Sequence, residues 1–174
     1  YGIIPVEFSA AMLYFHHKGI VQNLIHNLKY KNHQEVGSLL GKWYAKDLET
    51  VSQIKTVSEI IPVPLHKKRL EERGYNQVTT FCEALSNELK IPYNPDLLYR
   101  SRYSKTQTKK DKENRKDVSK ALFDVNFTEA DSNKHFLLID DVLTSGATLE
   151  ACAKALLKIP NSKVSIVTIA YTLS

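Results

Sequence analysis

The sequence predicts an α/β domain: a central, mostly parallel sheet flanked by helices. Three observations predict it. Residues 136–139 (Phe-Leu-Leu-Ile) form a wholly apolar run, the composition of a strand buried on both faces. That run meets two adjacent carboxylates, Asp140 and Asp141, then a loop of small residues, and then a helical pattern. Along the rest of the chain, short apolar runs alternate with amphipathic segments, the order that βα units produce.

The elements follow in order. The chain starts at Tyr1 rather than Met, as a fragment or processed chain would. Ile20, Val21, Leu24, Ile25 and Leu28 repeat at helical spacing, which predicts a helix over 19–30. Val36, Leu39, Leu40, Trp43 and Tyr44 predict a second, ending near Val51, so that 19–51 is a helical hairpin with a polar turn. A strand over 57–63 is closed by Pro64, and a helix over 73–90 carries Val78, Phe81, Cys82, Leu85 and Leu89 on one face until Pro92 and Pro95 break it. Short strands are expected over 97–103 and 123–127. After the central unit, a helix carries Leu149, Cys152, Leu156 and Leu157, and a buried strand over 164–170 closes the sheet.

The 174 residues suit one domain spanning 1–174, and 43% hydrophobic residues suffice for a core without disulfides or metal. The net charge of +5, from 24 basic and 19 acidic residues, favours anionic ligands but is too mild to indicate nucleic acid by itself. There is no repeat, no signal peptide and no apolar run long enough to cross a membrane, so no membrane insertion is expected. Cys82 and Cys152 each fall on the apolar side of an expected helix. They read as buried free thiols, which fits a reducing, cytoplasmic setting. They form no zinc ligand set, and the adjacent His16 and His17 are otherwise isolated.

The central unit is also the strongest candidate site. Thr144, Ser145, Gly146, Ala147 and Thr148 bring backbone N–H groups and hydroxyls to a helix N-terminus, which suits a phosphate. Asp140 and Asp141 lie at the carboxyl end of the strand, where open α/β sheets hold their ligands and where carboxylates can grip sugar hydroxyls. An ordinary junction with an N-capping Ser or Thr needs only part of this pattern. Neither G-x-x-x-x-G-K-[ST] nor G-x-G-x-x-G occurs. A second anion site is expected after the first sheet strand, where Lys67, Lys68, Arg69 and Arg73 crowd the turn before the helix expected from residue 73.

The stretch FLLIDDVLTSGATL resembles the phosphoribosyl-pyrophosphate (PRPP) motif of type I phosphoribosyltransferases, which implies that fold, with a hood and a flexible loop. The resemblance puts Asp140 and Asp141 against the ribose hydroxyls, as catalytic residues that orient the sugar and hold negative charge near the developing cation and Mg²⁺, and Thr144–Thr148 against the 5′-phosphate. It puts the pyrophosphate, with Mg²⁺, at the basic turn. PVPLH followed by RLEERGYNQ looks like the ComF family, the competence-associated branch, and LIHNLKYKN resembles the same family's early region. Many members of that family carry a cysteine-rich, zinc-binding segment upstream of where this chain starts, and these 174 residues hold none. LLKIPNSKV also lacks the glycine expected before the last strand.

Residues 104–117 carry six Lys/Arg against three Asp/Glu with no apolar residue, and match the family's flexible loop through Thr106, Gln107 and Arg115. Such a loop closes over PRPP to exclude water. The resemblance implies transfer of phosphoribose to an unknown acceptor with release of pyrophosphate. Two other readings stand beside it: a PRPP- or nucleotide-binding regulator without turnover, and an accessory protein of DNA uptake that meets single-stranded DNA or competence proteins.

Overall fold

The computed structural model describes residues 4–16, 19–101 and 122–172; the expected flexible loop, with Thr106, Gln107 and Arg115, lies outside them. In chain order the elements are β1 (Ser9–Tyr14), α1 (Ile20–Tyr30), α2 (Gln34–Leu48), β2 (Glu59–Pro62), α3 (Lys67–Arg73), α4 (Thr79–Leu89), β3 (Leu98–Arg100), β4 (Phe123–Val125), β5 (His135–Leu143), α5 (Ala147–Leu156) and β6 (Lys163–Tyr171). Four strands form a parallel sheet in the order β1-β6-β5-β2, and β3 pairs with β4 in a separate antiparallel ribbon.

Successive strand residues point to opposite faces, so the apolar run of β5 feeds two cores at once. Leu137 and Ile139 join one cluster with Ile25, Leu28, Leu40, Tyr44 and Phe81, beneath α1, α2 and α4. Phe136 and Leu138 join the other with Leu149, Cys152, Leu156 and Phe123, beneath α5 and the β3–β4 ribbon. Cys82 and Cys152 are both buried and free, as expected.

The helical hairpin packs α2 against α4 through two glycines. A Cβ at Gly41 would stand 2.7 Å from the Ala84 Cβ and 2.8 Å from the Phe81 carbonyl oxygen, a backbone atom that cannot step aside. Gly41→Ala is therefore expected to destabilise the protein. Overpacking costs about 1–3 kcal/mol, against about 1 kcal/mol gained from helix propensity. Urea unfolding midpoints check this; an unchanged or raised midpoint would mean that the two helices separate freely.

Four features differ most from expectation. The helix expected over 73–90 begins only at Thr79, and the turn expected before it is itself a helix, α3, which ends because Gly74 takes φ 77° and its N–H bonds the Leu70 carbonyl at 2.7 Å. The strand does not stop at Ile139: β6 supplies ladder partners out to Tyr171, and both acids lie inside β5, with Asp140 opposite Thr168. The left-handed turn before β6 is made by Asn161, φ 55°, in place of the glycine. Finally, β1 adds an edge strand, paired to β6 from Ser9↔Ile166 to Tyr14↔Tyr171, in a stretch for which the sequence predicts no element.

Candidate functional site

The carboxyl ends of β2 and β5 open onto a cleft of about 260 Å³, walled by Pro64, His66, Arg69, Arg73, Gln77, Lys29, Arg100, Asp140, Asp141, Thr144 and Thr148. It adjoins a small cup of about 40 Å³ formed by Asp140 and the turn from Val142 to Leu149. Every residue of the expected phosphate loop, Thr144, Ser145, Gly146, Ala147 and Thr148, lines this cup. The turn is possible because Gly146 takes φ 77° before the first residue of α5, a conformation that costs other residues strain.

Asp140 and Asp141 leave the strand in opposite directions. Asp141 is only 6% exposed and is held from three sides. Lys29 Nζ of α1 pairs with its Oδ2 at 2.8 Å, Gln77 Nε2 donates to the same oxygen at 2.9 Å, and the Val142 N–H donates to Oδ1 at 2.6 Å. Asp140 lines both cleft and cup and accepts the Asp141 N–H at 2.8 Å. Burial and then the neighbouring Asp141 charge raise its carboxyl to about 7, with the Asp141 N–H and Lys29 pulling the other way.

That shift predicts a pH dependence of stability. Between the unfolded value near 3.8 and the folded value near 7, the folded state binds more protons at Asp140 than the unfolded state does. Stability from this group is therefore full at the acid end of that window and is lost as pH rises through about 7. Thermal midpoints of the ligand-free protein across the window check the slope, and Asp140→Asn should flatten it. An identical slope in that variant would assign the effect elsewhere.

The segment Arg73-Gly74-Tyr75-Asn76-Gln77 explains itself residue by residue. Arg73 Nη1 donates to Gln77 Oε1 at 2.8 Å, and its guanidinium lies 4.8 Å over the Tyr30 ring. The Tyr75 hydroxyl donates to the Leu28 carbonyl at 2.6 Å. The Asn76 amide donates to the Val63 carbonyl and accepts the Val78 N–H, which turns the chain from α3 into α4. Gln77 then links Arg73 to Asp141. One short segment thus ties α1, the end of β2 and β5 around the cleft.

Of the expected basic residues, Arg69 and Arg73 line the cleft. Lys67 and Lys68 are not brought to it. They belong to α3, face solvent, and pair at i,i+4 with Glu71 and Glu72. In their place the cleft receives Lys29, Gln77 and Arg100, for which the sequence reading assigns no role at the site. Arg100 lies 5.4 Å over the Phe123 ring, held by the β3–β4 ribbon.

Comparison with known proteins places the chain in a family. The profile of the phosphoribosyl transferase domain family matches residues 79–174. Competence protein F of Haemophilus influenzae is 29% identical over 82% of this chain and 64% of its own length. DNA utilization protein YhgH of Escherichia coli K12 is 28% identical over 78% and 60%. Competence protein ComFC of Bacillus subtilis is 34% identical over 57% and 38%. The chain thus spans less than two thirds of the length of these relatives. A solved structure of adenine phosphoribosyltransferase from Leishmania donovani overlaps 94% of this chain and 83% of that one, at 12% identity and a TM-score of 0.49.

Proposed function

The chain belongs to the phosphoribosyltransferase domain family, in the branch of the ComF and YhgH proteins, and we propose that it binds PRPP with Mg²⁺ and transfers its phosphoribose to an acceptor, releasing pyrophosphate. One observation carries this reading. The paired acids, two arginines and two threonines of the phosphate turn line a single cleft, and Asp140 also lines the cup beside it, so groups suited to a 5′-phosphate, a ribose and a pyrophosphate share one opening.

In this reading the Thr144–Thr148 turn holds the 5′-phosphate with backbone N–H groups and hydroxyls at the α5 N-terminus. Arg69 and Arg73 meet the pyrophosphate and neutralise it as it leaves. Positive charge develops on the anomeric carbon and ring oxygen as the C–O bond breaks, as in glycoside hydrolysis, and the carboxylates of Asp140 and Asp141 face that charge. They act by orientation and electrostatics rather than as acid and base.

The donor set fits Mg²⁺. Among the described residues no group of three or more His, Cys, Asp and Glu converges. Mg²⁺ needs no such cage, because it takes one or two carboxylates together with phosphate oxygens of the ligand. Asp140 and Asp141 would supply that pair, and a cation would offset the Asp141 charge that, after burial, raises Asp140. Bound there, Mg²⁺ would neutralise charge on the pyrophosphate.

Calorimetric titration with PRPP and Mg²⁺ tests the reading. Saturable binding is expected, lost in the Asp140→Asn/Asp141→Asn double variant, with Mg²⁺-dependent pyrophosphate release once an acceptor is supplied. Binding without any release would favour the regulator. No binding by the unaltered protein would sink the transferase reading and leave a role in DNA uptake, to which the names of the competence and DNA-utilisation relatives point. That role predicts steeply salt-dependent binding of single-stranded DNA. Among the described residues no helix is long and apolar enough to cross a membrane.

A further inference from the structure

One buried side chain in β6 lacks the partner that its chemistry calls for. Thr168 is 1% exposed, and among the described residues its hydroxyl makes no hydrogen bond. An unpaired buried donor costs stability, and native proteins leave few of them. The strand neighbours Val167, Ile169 and Ala170 are buried and apolar, and a valine at 168 would fill the same space without the hydroxyl. The hydroxyl therefore calls for a use.

The strand ladder shows what it can meet. Thr168 stands opposite Asp140 of β5 on one side and Ala11 of β1 on the other, and alanine has no side-chain acceptor. Phe136 and Leu138 of β5 and Val164 of β6 belong to the cluster beneath α5, and the period of two carries Asp140 and Thr168 to that same face. Adjacent strands lie about 4.7–4.9 Å apart, so a side-chain rotation brings the two groups within hydrogen-bonding distance. A carboxylate offers about four acceptor sites. The Asp141 N–H takes one of them, on Asp140 Oδ1.

We propose that Thr168 is a positioning residue of the ligand site: in the complex its hydroxyl donates to the Asp140 carboxylate and fixes the direction in which that group faces the ribose. The proposal rests on the reading of the cleft as the PRPP site. Thr168 lines neither the cleft nor the cup, so it acts through Asp140 and does not touch the ligand. Bonds of this kind are often long in a ligand-free protein and tighten in the complex. Forming it relieves the unpaired donor of the free protein, so the bond adds to the free energy of binding.

Two variants test the role, each read by urea unfolding and by calorimetric titration with PRPP and Mg²⁺. Thr168→Val keeps the shape and removes the hydroxyl, whereas Thr168→Ser keeps the hydroxyl and removes the methyl group. Thr168→Val should unfold at an unchanged or higher urea midpoint, yet bind PRPP about tenfold more weakly, the scale of one hydrogen bond to a charged group. Thr168→Ser should unfold at a lower midpoint, because it opens a methyl-sized void, yet bind within about twofold of the unaltered protein. Stability and affinity thus part company in opposite senses in the two variants, which a packing role would not produce. Equal PRPP affinity in Thr168→Val would overturn the positioning role and leave the cleft reading intact. A lower midpoint in Thr168→Val would mean that the hydroxyl is already satisfied in the free protein, which sinks the proposal too. Binding weakened as much in Thr168→Ser as in Thr168→Val would assign the effect to packing and reject it. No binding by the unaltered protein would overturn the cleft reading, and the positioning role with it.

Discussion

Asp141→Asn is expected to weaken binding of Mg²⁺-PRPP by about 10- to 150-fold, the equivalent of about 1.5–3 kcal/mol for a lost charge-assisted hydrogen bond. Two effects oppose each other. Removing the carboxylate charge frees Lys29 from its 2.8 Å ion pair and makes the cleft more positive, which favours a polyanion. That gain is limited, because Lys29 also loses the buried carboxylate that compensates its own charge. The loss is larger, because the carboxylate is the group assigned to the ribose and the metal. Asn is nearly isosteric and its oxygen still accepts from Gln77, while its NH₂ then faces the Val142 N–H, so the variant removes charge at near-constant shape and loses one hydrogen bond. It should also let the Asp140 carboxyl fall from about 7, since the Asp141 charge is one of the causes of its rise. Calorimetry on the two proteins decides; equal PRPP affinity with unchanged Mg²⁺ dependence would remove Asp141 from the site.

The cup was legible because all of it is local. Thr144 to Thr148 are consecutive, their loop conformation needs one glycine, and the strand before them declares itself by having no polar residue. The helical hairpin was legible for a similar reason, since one apolar stripe per helix faces one core. Lys29, Gln77 and Arg100 were not. They reach the cleft from α1, the turn before α4 and β3, and a lysine on an amphipathic helix looks the same whether it meets water or a buried carboxylate. Lys67 and Lys68 erred the other way, although the signal was present: KKRLEER spaces two lysines four residues before two glutamates, the pattern of a self-paired exposed helix. The break at Gly74 is not legible because a lone glycine near the start of a helical pattern is tolerated as often as it breaks one. β1 is a half-buried edge strand of small and apolar residues, SAAMLY, without clean alternation, and only its pairing with β6 defines it.

Phe81→Ala is expected to cost about 3–5 kcal/mol of stability, the range for emptying a buried phenylalanine site. Phe81 is fully buried, stacks on Tyr44 with centroids 6.5 Å apart, and belongs to the cluster that joins α2 and α4 to Ile60 and Leu137 of the sheet. A typical domain has about 5–15 kcal/mol in total, so this one ring is a large share. The void cannot close easily, because α2 and α4 are already in contact at Gly41, where the Phe81 carbonyl and Ala84 leave no room for closer approach. A thermal midpoint lower by about 6–20 °C follows for a chain of this size. The ligand site should feel less of it. The cup stands on Leu149, Cys152 and Leu156, in the cluster on the other face of the sheet. Below the lowered midpoint, ribose 5-phosphate should bind the variant within about threefold of the unaltered protein, as expected for sites that share no partners. Urea unfolding paired with that titration separates the two faces. A stability loss below about 1 kcal/mol would mean that the helices collapse onto the void, and a parallel loss of ribose 5-phosphate affinity would mean that the two cores are mechanically one.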